Sequence, residues 1–567
     1  MKKIIRFAIS AFLMLSIFSC NSDDFFDIDY YDILPGDIMF KDASSIEAGL
    51  TGVYDTFYGN WKWSPTYMIQ NITTMDILAG GWDAAFSTHD WNAGTRQFRT
   101  LWNNYYKGVS TANFFLEGAE ETDASLFNNG EKGKKQTIAQ ARAIRAMNYL
   151  QLVQGWGRVP MVMTGENGSN TPEKARPEND EECWKLIEED LTYAVGNLDF
   201  DPIGGQYGRI TKGTALGYRA EAYMCQKKYD LAKKDYEAII ASGKYKLMPC
   251  FSYLFDTDKG WSSEDLWAIP MYSDFGKNMH TFGGGGEDTY SLSLNQSASI
   301  QFGGWGSTYV SWETYESYEP GDKRRVGSMV GWGDTNPFTG DRLGFNEDGT
   351  PNEEYNHAKV SGEYLPNVFS IKYWRMHAIG DETVNCAPYT AHHMRYANIL
   401  LNYAEACFRT NDAVKGWDAI RQVRNRAFGN LEVSLNDPSY PIPMNKEIVE
   451  VPDAEAVYTE YKARKGYKSD VWLVAISQER RKEFNLEFCL FFDLKRSGMI
   501  EEHINCEYPK YGTPLCQAVP NTDLNALDSK PWYRKFDFNP NKMLFPIPTT
   551  EMDTNKALTP EDQNPGY

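Results

Sequence analysis

The spacing of apolar residues predicts a mostly helical protein. In "ARAIRAMNYLQLVQGWG", Ala143, Ala146, Met147 and Leu150 share one helical face, and Gly155 and Gly157 are stop signals. "DEECWKLIEEDLTYAVGNL" repeats the pattern with Trp184, Ile187 and Leu191, and its acidic start suits the positive end of a helix.

Two longer segments read as helical hairpins. In "ALGYRAEAYMCQKKYDLAKKDYEAIIASGKY" two helical runs meet around Lys227 to Asp230. Ala220 and Ala232 are small where the helices must approach, and Tyr223, Tyr229 and Tyr236 fill the gaps. This spacing resembles a tetratricopeptide repeat, which stacks on its neighbours, although Ile239 stands where a small residue is usual. "ANILLNYAEACFRTNDAVKGWDAIRQVRNRAF" predicts a second hairpin, with Asn411 and Asp412 in its turn and Ala404, Ala413 and Ala419 as small contacts.

Between about 250 and 390 the pattern collapses into Gly-, Trp-, Tyr- and Asn-rich stretches such as "HTFGGGGEDTY" and "FGGWGSTYVSW". Long irregular stretches in a compact protein are usually functional. "GGWDAAFSTHDW", residues 80 to 91, has the same composition and follows neither the helical nor the strand period. Its Trp82, Phe86 and Trp91 raise the question of what a loop does with large aromatic rings.

Composition narrows the class. The 567 residues are 42% hydrophobic and 24% charged, which excludes both a disordered chain and a membrane-embedded bundle. Aromatics make up 14%, and Tyr and Trp suit sites that are apolar on one side and wet on the other. The net charge of -20, with no long basic stripe, argues against a nucleic-acid partner.

The first 19 residues predict an export signal. Lys2, Lys3 and Arg6 precede the mostly apolar run Ile4 to Phe18, which is short for a membrane span. "SIFSC" resembles a bacterial lipobox, with Phe18 bulkier than is usual, and predicts Cys20 as the lipidated first residue of the mature protein. The acidic "SDD" that follows is similar to the surface-export tag of Bacteroidetes lipoproteins. One lipidated terminus anchors a protein on a membrane, not across it. Of the other cysteines, Cys225, Cys407 and Cys489 fit small core positions, and Cys506 and Cys516 flank a loop where they could pair. With no CxxC pair, a zinc site is not expected.

Catalytic signatures are missing from the sequence. There is no G-x-S-x-G elbow, H-E-x-x-H helix or G-x-x-x-x-G-K-[ST] loop. His392-His393 is the only adjacent histidine pair, read as opening a helix and facing solvent or core. "DTDKGWSSED", with Asp256, Asp258 and Glu264, fails calcium-loop spacing and reads as a turn. In "SQERRKEFNLEFCLFFDLKRSG", Glu479, Arg480, Arg481, Glu483 and Glu487 lie on a predicted helical stretch with Phe484, Phe488, Phe491 and Phe492. The structural reading is preferred over a catalytic one, because Arg paired with carboxylate can be buried between helices when every hydrogen bond is met.

These segments together resemble a family. "RRKEFNLEFCLFFDLKRSG", "MRYANILLNYAEAC", "DAIRQVRNRAF" and the ending "LFPIPTTEMDTNKALTPEDQNPGY" are similar to the C-terminal part of SusD/RagB-type outer-membrane lipoproteins of Bacteroidetes. "ARAIRAMNYLQLVQGWGRVP" and "GRITKGTALGYRAEAYMCQKKYDLAKKDYEAIIASGKYKL" resemble the N-terminal half. The resemblance implies a mostly α fold of four tetratricopeptide-like hairpins carrying long irregular loops. It implies a signal peptide over 1–19 and a single SusD-like protein over 20–567. The latter is divided into an N-terminal part (20–250), a loop-rich ligand-binding part (251–392) and a C-terminal part (393–567).

It further implies non-catalytic binding of an oligo- or polysaccharide at the cell surface, without cofactor or metal, and delivery to a SusC-like TonB-dependent transporter. Peptide capture and a polysaccharide-degrading enzyme are the alternatives; aromatic-rich loops favour sugars, whose C–H faces stack on Trp and Tyr. Family position puts 76–96 and 280–340 near the binding face. Trp82 and Trp91 are the expected platform for a neutral glycan, Trp305, Tyr309 and Trp312 the opposite wall, and Asp76, Asp83 and Arg96 the partners of sugar hydroxyls.

Overall fold

In the computed structural model the described residues are 36–61, 65–79, 83–164, 173–255, 261–270, 308–331, 333–336, 340–350, 352, 358–360, 363–365, 368–372, 390–429, 449–487, 489–505 and 538–567. Helices dominate. The N-terminal part holds α1 (Ala43–Trp61), α2 (Pro65–Ile72), α3 (Arg96–Glu121), α4 (Gly130–Trp156), α5 (Glu181–Asn197), α6 (Lys212–Cys225) and α7 (Tyr229–Ser242). A short α8 (Trp312–Glu316) lies in the loop-rich part. The C-terminal part adds α9 (Tyr396–Arg409), α10 (Ala413–Ala427), α11 (Ala454–Lys465), α12 (Val471–Phe484), α13 (Leu490–Ser497) and α14 (Ile500–Asn505).

From α3 to α7 each helix packs on the next, and α7 packs on α9, which packs on α10. The loop-rich part is therefore an insertion between consecutive members of one helical array. Both predicted hairpins form. Thr211 caps α6 with a reciprocal capping box, and Lys227 and Asn411 take positive φ values of 60° in the two turns. Ala220, Ala232 and Ala404 are fully buried and Ala419 nearly so. Ala413 is exposed, contrary to expectation. The close approach in that hairpin is made by Gly416, where a Cβ would stand 2.6 Å from the Phe408 ring. Helix α4 is buried on almost every side from Ile138 to Trp156, so it is a central helix and not a one-faced one. It continues through Gly155 and stops at Gly157, whose φ of 72° admits glycine readily.

The strands are short and paired two by two: β1 (Ile77–Ala79) with β3 (Thr308–Val310), β2 (Asp265–Pro270) with β8 (Thr390–Arg395), β4 (Met329–Gly331) with β7 (Val368–Ser370), and β5 (Ala358–Val360) with β6 (Glu363–Leu365), all antiparallel. His392-His393 lies on β8, not at a helix start, which comes at Tyr396. His392 is buried, with Nδ1 2.5 Å from Asp265 Oδ1 and Nε2 2.6 Å from the Leu254 carbonyl.

The charged segment is core, as expected, but it is not one continuous helix. Helix α12 ends at Phe484, and Leu486 turns the chain with a φ of 68° before α13. Glu479, Arg480, Arg481, Glu483 and Glu487 are all buried. Arg395 bonds Glu264 (2.8 Å), Glu483 (3.0 Å) and Glu487 (2.8 Å), and Arg324 reaches Asp322 (2.6 Å) and Glu479 (2.8 Å). Arg424 joins Glu319 (2.7 Å) to Glu479 (2.8 Å). Burial opposes ionisation of Glu483, but the Arg426, Arg395 and Arg324 charges outweigh it and hold the carboxyl well below the usual range. Glu264, from the segment read as a turn, is one anchor of this network; Asp256, Asp258, Phe488, Cys506 and Cys516 lie outside the described residues. Cys183, Cys225, Cys407 and Cys489 are free thiols.

Candidate functional site

The two stretches expected to face each other are joined by the β1–β3 ribbon. Ile77 pairs with Val310, Leu78 with Tyr309 and Ala79 with Thr308. The chain after Ala79 and the chain before Thr308 therefore leave the same end of one ribbon. The other end is closed by the Ser311 N–H, which donates to the Asp76 carbonyl (2.8 Å). Ser311 then caps α8, accepting from the Thr314 N–H.

Beneath the ribbon lies Asp76, fully buried. Its Oδ1 accepts from Arg481 Nε (2.9 Å) and Thr314 Oγ1 (3.0 Å) and stands 3.0 Å from His503 Nε2. Burial raises the Asp76 carboxyl; the Arg481 charge and then His503 overcome that and keep it below its ordinary value. Arg481 also reaches Glu313 of α8 (Nη1 to Oε1, 3.5 Å), which takes bonds from Tyr461 (2.9 Å) and Lys465 (2.6 Å) of α11. One guanidinium thus ties both sides of the ribbon to the core.

Most of residues 83–91 is scaffold. Phe86 and Trp91 are 0% and 1% exposed. Their rings lie 5.8 Å apart, and both pack on Phe98 of α3, at 5.7 and 6.1 Å. Trp91 Nε1 donates to the Tyr567 hydroxyl (2.5 Å), and Lys542 Nζ donates to the His89 and Trp91 carbonyls (2.9 Å each). His89 donates to the Thr73 carbonyl (2.8 Å), and burial pushes its imidazole down to about 4, so it is neutral. Ser87 Oγ accepts from the Ala79 N–H (2.7 Å).

The predicted site residues therefore divide. Trp91 is a core residue, corrected from its place in a platform, because its ring is enclosed and its N–H is spent on the C-terminal residue. Asp76 and Asp83 are corrected as well. Asp76 is an ion-pair anchor. Asp83 is buried and accepts from Gln97 Nε2 (2.8 Å), with burial raising its carboxyl. Arg96 opens α3 and is half-buried. The Tyr309 backbone pairs with Leu78 in the ribbon, and Trp312 opens α8 after Ser311. Trp82 and Trp305 lie outside the described residues. Sequence reasoning missed Glu313, Thr314, His503, Lys542 and Tyr567. Each has a partner well over a hundred positions away, Tyr461 for Glu313, Asp76 for Thr314 and His503, and residues 89–91 for Lys542 and Tyr567, so no local spacing marks them. Among the described residues, no group of three His, Cys, Asp or Glu could hold a metal ion, and no helix is long and apolar enough to cross a membrane.

The sequence model of the SusD family matches residues 263–567. The chain belongs to the SusD family. Residues 24–224 of this SusD-family protein match a second model, described as starch-binding associating with outer membrane. SusD-like protein P2 of Formosa agariphila is 23% identical over 581 residues, covering 98% of each chain. Among solved structures, surface glycan-binding protein A from Bacteroides fluxus superposes with a TM-score of 0.65 at 21% identity, over 92% of this chain and 99% of that one. A laminarin-binding SusD-like protein gives a TM-score of 0.65 at 20% identity, over 93% and 100%. These likenesses show the SusD fold. The carbohydrate ligands in those names belong to those proteins.

Proposed function

We propose that this protein captures a glycan at the cell surface without cleaving it and passes it to a SusC-like TonB-dependent transporter, held on the outer membrane through lipidated Cys20. The observation that carries the binding role is the β1–β3 ribbon. Trp82 follows its Ala79 end by three positions, and Trp305 precedes its Thr308 end by three. Two aromatic-bearing segments joined at one end of a ribbon suit a neutral sugar, with rings supplying contact area and few polar groups setting orientation. Tyr309 is on the ribbon itself and Trp312 opens α8 beyond its closed end, Arg96 is kept as a polar contact, and Trp91 has no part in the platform. The non-catalytic reading is supported by two carboxylates among the described residues that flank β1. Asp76 is held in ion pairs and Asp83 in a buried hydrogen bond, so neither is placed as an acid or base for a bound glycosidic bond.

Calorimetry tests this with laminarin, soluble starch and a wider glycan array on the parent, Trp82→Ala and Trp305→Ala. Each aromatic loss should weaken binding by about tenfold or less, on the order of 1 kcal/mol, and the double variant should nearly abolish it. Product analysis after prolonged incubation should show intact glycan. Released oligosaccharides, or variants that bind like the parent, would overturn the proposal.

A further inference from the structure

A second cleft lies away from the ribbon, where α4, α5 and α13 meet the C-terminal tail. It has a volume of about 700 Å³, within the range of small-ligand sites. Four cations line it; Arg496 pairs with Glu405 (2.9 Å), which leaves three, Arg158, Arg176 and Lys495. The whole chain carries a net charge of -20, yet none of the three has a carboxylate within ion-pairing distance among the described residues. Arg176 is buried and spends its donors on neutral oxygens: the Arg158, Trp156 and Asp562 carbonyls and Asn564 Oδ1. Arg158 Nη1 bonds the Pro177 and Glu178 carbonyls, and Lys495 Nζ bonds the Gln154 carbonyl. Asp562 acts on both arginines through space but commits Oδ2 to the Thr559 N–H and hydroxyl.

Cations held by neutral oxygens without a direct ion pair cost stability when they are taken out of water. Burial pushes the Lys495 ammonium down to about 8, and burial and then the Arg158 charge push Arg176 down to about 10. Three carboxylate residues also line it, Glu178 and Glu561 exposed and Asp180 half-buried, none of them in an ion pair with Arg158, Arg176 or Lys495 among the described residues. Two half-buried aromatic rings, Trp184 and Phe492, are also part of the lining. Aromatic faces beside unpaired cations suit a ring that also bears a negative charge.

We propose that this cleft is a second ligand site, for the carboxylate-bearing residue of an acidic sugar, with Lys495 and Arg158 as its anion contacts. The sugar part rests on the glycan reading above; the anion part rests on the cleft alone. The test uses the mature chain carrying Cys20→Ala and its Lys495→Met and Arg158→Gln variants. Calorimetry and thermal melts are run with glucuronate, di- and trigalacturonate, sodium sulfate and glucose. The acidic sugars should bind and raise the melting temperature, about tenfold more weakly in either variant and more weakly in high salt. Glucose should not bind. Ligand-free Lys495→Met should melt at or above the parent, because an uncompensated cation has been removed.

Acidic-sugar binding that survives both variants would overturn the proposal. So would sulfate binding with no acidic sugar bound, or a Lys495→Met protein that is destabilised and binds normally. Neutral-glycan binding in Lys495→Met separates the two sites: it persists when only the cleft is disabled. Failure of neutral glycans to bind the parent counts against the ribbon and not against the cleft.

Discussion

Arg481 is the most informative residue to change, because it bonds both sides of the ribbon from one buried position. Arg481→Met keeps the apolar stem and removes the charge. Asp76 then loses its 2.9 Å partner and keeps Thr314 and His503, while Glu313 keeps Lys465 and Tyr461. Orphaning a buried charge costs about 3–5 kcal/mol, and the bonds that remain argue for the lower end, about 3 kcal/mol. For a chain of this length the unfolding entropy is roughly 1.1 kcal/mol per kelvin, so the melting temperature should fall by about 3 °C. The pH dependence carries a sign that a generic packing defect lacks. In the parent, Asp76 titrates below its ordinary value, so its contribution is present above about pH 4 and lost as pH falls through the lowered value. In the variant, burial without Arg481 raises the carboxyl. Mild acid then protonates it and relieves the penalty, so the melting gap should narrow from pH 7 to pH 5. Asp76→Asn combined with Arg481→Met should cost less than the sum of the single changes. Scanning calorimetry over that pH range decides the matter. A variant that melts like the parent yet has lost glycan binding, or a gap that does not narrow, would refute the assignment of Arg481 to structure.

Trp91→Ala should lower stability by about 3–5 kcal/mol, by cavity formation and the loss of the Tyr567 contact, with glycan affinity of the folded fraction unchanged; melts paired with calorimetry check both. Cys20→Ala should leave a folded protein that is no longer retained on membranes, read by fractionation in a strain lacking the transporter. The lipidated protein should co-purify from native membranes with a TonB-dependent transporter encoded beside it, and repeated purification without one counts against the delivery role.

What was legible in the sequence was whatever repeats over short distances. The hairpin around Lys227 and the one around Asn411 announced themselves through small residues at helical spacing, and both form. The burial of the charged segment was legible because aromatic residues surround its Arg and Glu side chains. What was not legible depends on distant partners. Trp82 and Trp91 have similar neighbours in the sequence, yet Trp91 is enclosed by Phe98, Lys542 and Tyr567, two of them more than 450 positions away. Asp76 had the composition of a ligand contact and became an anchor through Arg481, 405 positions on. His392-His393 misled because the helical pattern that begins at Tyr396 gives no sign that β8 precedes it.

The arrangement also explains why so much charge is buried under the irregular part of the chain. A three-residue ribbon offers few ladder bonds, and apolar packing is non-directional, so neither alone would hold β1 and β3 in register. Charge-assisted bonds are directional. Arg481 has one set of positions from which it can satisfy Asp76 and Glu313 together. Arg395 and Arg424 act similarly on the neighbouring segments, linking β8 and α10 to carboxylates that begin or follow irregular stretches. Such pairs add little net stability when compared with apolar packing, but each misplacement leaves a buried charge unpaired and is heavily penalised. The register of the ribbon is therefore held by the described core, through Asp76, Ser311 and Arg481, and not by whatever follows Ala79 or precedes Thr308. That division leaves the enclosed aromatics, Phe86 and Trp91 among them, to the scaffold, and it is why ligand contacts are proposed in the segments after Ala79 and before Thr308.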